Sequence, residues 1–364
     1  MTTMTPIATT TRAAATALCV AAALLGCAAS PTAAPPAMGA TVPAAWNAAA
    51  LQEVLDYARA QKTTGLLIIQ NRQVIAEQHW PLPADATVFR AAFVHGQAAD
   101  GALLEDVASQ QKSFIALLAA IAADRGLMDV ERPVATYIGA AWSKAPPAVE
   151  ARITVRQLLE MTSGLTEDLR TEAEPGARFF YNTPAYAVTK RVLEQAARGP
   201  LDEITRQWLT VPLGMADTAW RPRPAALADA GNPTGLVTTP RDIARMGQLV
   251  LDQGLAPDGR RVVSAAQLGL LLQRTPTNPA YGRLWWLNGG SHAYLSGADA
   301  PRREGPLIET APADLVAALG FHDRKLFVVP SRQLIVVRTG QTAPARDFNQ
   351  QLWQRLMKAV PAGG

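Results

Sequence analysis

Apolar residues recur at helical spacing between Ala48 and Gln61, where Leu51, Val54, Leu55 and Ala58 share one face, and they predict an amphipathic helix. The pattern then changes to that of strands. Gly65 to Gln70 and Gln73 to Trp80 read as two strands joined through Asn71-Arg72 as a hairpin, with a polar face and a length that suit an antiparallel sheet. A strongly apolar helix is predicted from about Ala108 to Asp124, with Gly126 as its stop signal. From Arg152 to Met215 the pattern is mostly helical, broken at Gly164, Pro175-Gly176 and Gly199-Pro200. Gly235 to Gln253 reads as a loop and a helix. Near the end, Arg324 to Val329 and Gln333 to Thr339 flank Pro330-Ser331-Arg332 as a second hairpin. A closing helix spans Arg346 to Val360, with Phe348, Leu352 and Leu356 on one face.

A helix and two strands at one end, two strands and a helix at the other, and helices between them point to one antiparallel sheet built from both ends of the chain. The expected fold class is therefore α/β (α+β), the sheet flanked by helices and interrupted by a helical subdomain. The sheet-bearing part covers about 48–125 and 235–360, and the helical part about 126–234. Two sequential domains are the alternative, but no Pro/Gly-rich linker follows residue 48. No internal repeat is present.

Hydrophobic residues make up 49% of the chain and charged residues 18%, which places it among globular proteins. The net charge of +4 comes without a Lys/Arg cluster, so no nucleic-acid partner is expected. Residues 1–26 combine a weak cationic start at Arg12 with an apolar run from Ala13 to Leu25, too short for a membrane span and read as a secretory signal. Its end, Leu24-Leu25-Gly26-Cys27, resembles a bacterial lipobox. That resemblance implies cleavage before Cys27, lipidation of its thiol and a periplasmic, membrane-anchored protein. An ordinary signal cut near Ala29 is the alternative. Residues 27–47, Ala/Pro/Thr-rich from Ala28 to Ala45, read as a tether. Both cysteines, Cys19 and Cys27, lie in the leader, so the body must be stable without disulfides. The histidines His79, His95, His292 and His322 show no ligand spacing, and neither a metal nor another cofactor is expected.

The chemistry begins at Ser109 and Lys112. Positions i and i+3 share one helix face, which puts an amine beside a hydroxyl at the start of the apolar helix. Such a pair performs acyl transfer without histidine. With nine serines and six lysines in the chain, only about 0.15 accidental Ser-x-x-Lys matches are expected, so chance is a poor explanation.

Around that pair the chain resembles the serine β-lactamase and penicillin-binding-protein superfamily, in particular its class C-like and carboxylesterase branch, over roughly residues 48 to 360. The resemblance also rests on Ile153-Thr-Val-Arg-Gln-Leu-Leu-Glu-Met-Thr-Ser-Gly-Leu165, on Pro175-Gly-Ala-Arg-Phe-Phe-Tyr-Asn-Thr-Pro-Ala-Tyr186 and on Pro212-Leu-Gly-Met-Ala-Asp-Thr218. Gly235-Leu-Val-Thr-Thr-Pro-Arg-Asp242 and Tyr281-Gly-Arg-Leu-Trp-Trp286 complete it. It implies a β-lactamase/DD-peptidase-like fold, with Ser109 as nucleophile, Lys112 as the proton-handling lysine and Tyr181 as the tyrosine of a Tyr-x-Asn motif. A phenol shares the serine proton only if Lys112 favours its ionised form. Which of the two is the base stays open on sequence.

Two departures from the family pattern bear on substrate. Thr183 stands where class C enzymes carry asparagine, and a hydroxyl cannot reproduce amide geometry. Of the family's Lys-Thr-Gly only Gly320 survives, in Ala318-Leu319-Gly320. The resemblance implies that the Phe321 N–H pairs with the Ser109 N–H as the oxyanion hole, a role that needs no particular side chain. His322 is placed at the pocket mouth, Arg324 and Lys325 as solvated edge charges, and Trp286 in the pocket wall. Thr162-Ser163-Gly164 is read as a structural turn, since no Lys or His sits at useful spacing. The expected activity is hydrolysis of an ester or small amide through a Ser109 acyl-enzyme. A D-amino-acid peptidase or weak β-lactamase, and a non-hydrolytic sensor or trap, are the alternatives.

Overall fold

Asn47 opens the first helix by accepting the Ala50 N–H at 3.1 Å, and Ala48–Ala60 then buries Leu51, Val54 and Ala58 on one face. The computed structural model describes residues 43–228, 231–296 and 301–361. The leader, the lipobox-like segment with Cys27 and most of the tether lie outside them. The chain then forms β1 (Thr63–Gln70), β2 (Gln73–His79), β3 (Val94–Gln97), β4 (Leu103–Asp106), β5 (Ala219–Pro222), β6 (Thr234–Thr238) and β7 (Trp286–Leu287). The remaining strands are β8 (His292–Tyr294), β9 (Arg302–Glu304), β10 (Val316–Gly320), β11 (Arg324–Val329) and β12 (Leu334–Gly340).

Six of these strands pair in the order β2-β1-β12-β11-β10-β7, so the main sheet is assembled from both ends of the chain. The contacts that close it are antiparallel: β1 lies on β12 with Ile68 opposite Val336, and β10 lies on β11 with Gly320 opposite Arg324. Asn71 and Arg72 turn the first hairpin with φ of 51° and 64°, the left-handed geometry that a two-residue hairpin loop demands. Helix Phe348–Ala359 buries Phe348, Leu352, Trp353 and Leu356. Helix Pro240–Leu251 lies against the main sheet through Gly247, where an added Cβ would sit 2.9 Å from Leu326 and 3.1 Å from Ile335.

A second sheet, in the order β3-β4-β6-β5, is absent from the sequence pattern. Its strands have four or five residues each, too few to establish an alternation. One of them, β6, occupies the start of a segment read as a loop. The stretch 126–234 holds helix Thr183–Ala197 and several shorter helices, and it also contains β5. The second sheet matters because β4 runs directly into the turn that carries Ser109.

The two sheets meet at Gly320. A Cβ there would collide with the Val107 carbonyl oxygen and lie 3.2 Å from the Gln110 nitrogen, so only glycine lets the end of β10 touch the Ser109 turn. Gly320→Ala must separate the two backbones. We expect it to destabilise the fold by about 1–3 kcal/mol, as overpacking does, and to lower kcat for any Ser109-dependent reaction at least tenfold. Urea unfolding and steady-state kinetics check both.

Candidate active site

Asp106, the last residue of β4, is buried and its Oδ1 accepts the Ala108 N–H at 2.8 Å. Arg223 grips the same carboxylate with two bonds, Nε to Oδ2 at 2.7 Å and an Nη to Oδ1 at 2.8 Å. Gly235 on β6 leaves room for it, since a Cβ at that position would overlap the carboxylate. This anchor holds Ala108 at φ 50°, a left-handed conformation that costs a non-glycine residue about 1–2 kcal/mol. Ser109 follows in a short 3-10 turn, Ala108–Gln110, which feeds helix Gln111–Asp124.

Lys112 Nζ lies 3.0 Å from Ser109 Oγ and 3.2 Å from Thr183 Oγ1. The amine also sits over two rings, 4.9 Å from the Tyr181 centroid and 4.7 Å from that of Tyr186. Burial pushes its pKa down to about 7, and the nearby Arg223 charge acts in the same direction. No carboxylate opposes these effects. Tyr181 moves the other way: burial raises its pKa to about 12, against a hydrogen bond with Ser109 that lowers it. At neutral pH the pair is therefore an amine that can accept a proton beside a phenol that keeps its own. The tyrosine is held by an aromatic cluster, stacked on Trp286 at 5.8 Å and edge-on to Tyr281 at 6.2 Å.

Asn182 cannot replace the missing family asparagine. Its side chain caps helix Thr183–Ala197 through the Ala185 N–H at 2.9 Å and donates to the Leu165 and Thr166 carbonyls at 2.8 and 2.9 Å. Thr183, at the first position of that helix, is the residue that reaches Lys112. Ser163 accepts the Leu165 N–H at 3.3 Å inside a turn, a structural role.

Ser109, Thr183 and Phe321 line one cavity of about 1090 Å3, together with Phe93, Trp220 and Leu227. Lys190, which is buried, and Arg223 also line it. Among the hydrogen bonds of turns and loops in the described residues, neither the Ser109 nor the Phe321 N–H is a donor. The Phe321 side chain is 62% exposed beside them.

Four sequence expectations are corrected. His322 does not line the cavity: its ring packs edge-on against Phe93 at 4.8 Å, Nδ1 meets Thr342 Oγ1 at 2.7 Å, and burial holds its pKa down at about 4. Arg324 and Lys325 are not solvated, because β10 and β12 flank β11 and the second sheet covers Arg324. Arg324 pairs with Glu105 at 3.2 Å, and Lys325 with Asp323 at 3.1 Å. Trp286 is buried behind Tyr181 and supports it without lining the cavity.

Asp106, Arg223 and Tyr186 escape the sequence reading. Arg223 stands more than a hundred positions from Ser109 and carries no spacing signal. A lone aspartate before an apolar helix reads as a cap. Away from the cleft, Glu77, His79 and Asp100 converge within 4.8 Å, but the Arg241 guanidinium already holds Glu77 with two bonds of 2.7 Å and lies 3.4 Å from Asp100.

The fold and this serine, lysine and tyrosine arrangement define a β-lactamase-fold hydrolase. The family model described as Beta-lactamase matches residues 48–359, and the chain belongs to that family. An uncharacterised protein of Alkalihalophilus pseudofirmus is 24% identical over 305 residues, covering 75% of this chain and 82% of its own. The putative β-lactamase from Bacteroides dorei DSM 17855 superposes with a TM-score of 0.66 at 15% identity, covering 87% of this chain and 100% of that one. EstCE1, a hydrolase with promiscuous acyltransferase activity, superposes with a TM-score of 0.58 at 16% identity, covering 86% and 97%. At these identities the two structures show a shared fold.

The lowered Lys112 pKa fixes a pH dependence. Protonated Lys112 has no lone pair for the Ser109 proton, so kcat/KM should fall tenfold per pH unit below about pH 7 and level off above it. Lys112→Arg, cationic at every accessible pH, should remove the limb together with nearly all turnover. A pH–rate profile from pH 5 to 9 measures both.

Proposed function

We propose that the protein is a serine hydrolase that cleaves a carboxylic ester or small amide through an acyl-enzyme on Ser109. The observation that carries this reading is the 3.0 Å contact between Ser109 Oγ and an amine that burial keeps near neutrality. Lys112 takes the hydroxyl proton as Oγ bonds to the substrate carbonyl carbon, and the displaced electron pair becomes an oxyanion facing the Ser109 and Phe321 N–H groups. Collapse of the tetrahedral species breaks the bond to the leaving group. That group takes up the proton that Lys112 and Tyr181 hold beside it. Water then attacks the acyl carbonyl and gives a proton to Lys112; collapse of this second tetrahedral species breaks the acyl–Oγ bond, Lys112 returns the proton to Ser109 Oγ, and the acid leaves. The chemistry closes without a cofactor.

The strand beside Ser109 bears on the substrate class. A carboxylate-bearing β-lactam needs a cation and a hydroxyl on the strand beside the nucleophile, and Ala318 and Leu319 offer neither. Arg324 and Lys325 are occupied by Glu105 and Asp323. Phe93, Leu227 and Phe321 give the cavity an apolar part that suits an uncharged acyl or alcohol group, while Lys144, Arg191, Glu167 and Asp168 line it as well. The fold relationship to EstCE1, described as a hydrolase, is consistent with this choice. The lipobox-like Leu24–Cys27 segment adds a lipid-tethered, periplasmic location to the proposal.

A charge-assisted hydrogen bond is worth roughly 1.5–3 kcal/mol, so its loss should lower β-lactam acylation by about one to two orders of magnitude. Accordingly, kcat/KM for p-nitrophenyl butyrate should exceed that for a chromogenic cephalosporin by at least tenfold. A larger value for the cephalosporin would overturn the substrate assignment while leaving Ser109 as nucleophile.

A further inference from the structure

The two N–H groups facing the proposed oxyanion belong to different sheets. Ser109 follows β4 of the second sheet, whereas Phe321 follows β10 of the main sheet. Their mutual placement is therefore a tertiary matter. The turn that carries Phe321 is also strained: His322 and Asp323 adopt φ of 61° and 56°, and neither is glycine.

Two buried arginines hold this turn by its carbonyl groups. Arg324 donates to the Phe321 carbonyl at 3.0 Å, and one Nη of Arg338 donates to those of His322 and Asp323 at 2.7 and 3.1 Å. The Arg324 guanidinium lies over Phe93 at 4.6 Å and Phe89 at 5.1 Å, with an Nη 3.2 Å from Glu105 Oε2. Both side chains of that ion pair are 0% exposed. Glu105 belongs to β4, four positions before Ser109, and its other oxygen accepts a hydrogen bond from Thr64 of β1. Thr64 in turn meets Thr339 of β12 at 3.1 Å. One carboxylate thus links, through an ion pair and not a hydrogen bond, the strand that delivers the nucleophile to the arginine that fixes the opposite donor.

We infer that the Glu105–Arg324 ion pair is a positioning device that sets the spacing between the Ser109 and Phe321 N–H groups, and so the oxyanion hole. This inference rests on the serine-hydrolase reading above. A fully buried ion pair is a poor source of stability, because desolvation of two charges offsets their attraction, and apolar replacements of similar volume are often neutral or stabilising. Geometry is what such a pair contributes here. The Phe321 N–H must lie about 2.7–3.1 Å from the oxygen of the tetrahedral state, and a small drift of the turn forfeits that contact.

The test separates positioning from folding. In the full chain, Arg324→Lys keeps the charge but not the forked geometry, and the double variant Glu105→Leu/Arg324→Met removes both charges at similar volume. Each is assayed with p-nitrophenyl butyrate, and inactivation by a p-nitrophenyl alkylphosphonate reports formation of a tetrahedral adduct on Ser109. We expect the double variant to unfold in urea near the wild-type midpoint. Its kcat should be lowered about ten- to a hundredfold, its KM should lie within threefold of wild type, and its phosphonate inactivation rate should fall in parallel with kcat. Arg324→Lys should shift kcat in the same direction. A folded variant of either kind that keeps kcat within twofold, or a loss confined to KM, overturns the inference. A wild-type protein that neither turns over the ester nor gains the phosphonate mass defeats the serine-hydrolase reading itself, and the clamp with it.

Discussion

Burial of one lysine amine without a carboxylate partner is the constraint on which the rest of the site depends. Burial strips water from an ammonium at Lys112 and the Arg223 charge acts in the same direction, which together bring the pKa down to about 7 against the attraction of two aromatic faces. The neutral amine is therefore available near neutral pH, and it is the form that can take a proton from a hydroxyl. Packing and reactivity are therefore one property here. The Tyr281 and Trp286 rings pack around Tyr181 and hold the phenol in place.

Arg223 acts on the same site through two routes. Its guanidinium fixes Asp106, which holds the Ala108 N–H and with it the left-handed residue ahead of the nucleophile. Its charge also disfavours the protonated form of Lys112. The Ser109 turn and Lys112, the proposed nucleophile and base, are thereby coupled through a residue on neither of their elements. A comparable economy holds on the opposite wall, where β10 reaches the Ser109 turn only because Gly320 lacks a side chain.

The sequence carried four of the six strands of the main sheet, because β1, β2, β11 and β12 are long enough to show alternation and lie beside recognisable turns, whereas β10 came only with the family resemblance and the two-residue β7 shows no pattern. It carried Ser109 and Lys112 because one helical turn sets their distance. Tyr181 and Thr183 needed the family resemblance, since nothing in local spacing links them to Ser109. The second sheet escaped because β3, β4, β5 and β6 are too short to display a period. That omission explains the misplaced Arg324: alternation along β11 says which face a side chain takes, but not that Glu105 of another sheet covers that face. The same limit applies to His322, expected at the pocket mouth, whose ring turns instead to Phe89 and Phe93.

Rapid chemical quench of p-nitrophenyl butyrate turnover, followed by peptide mass mapping, tests the central claim most directly. The account requires a butyryl group on the peptide containing Ser109, at up to one equivalent, with no acylation and no turnover in Ser109→Ala. A butyryl group on any other residue, or a Ser109→Ala protein that still hydrolyses the ester, would contradict it.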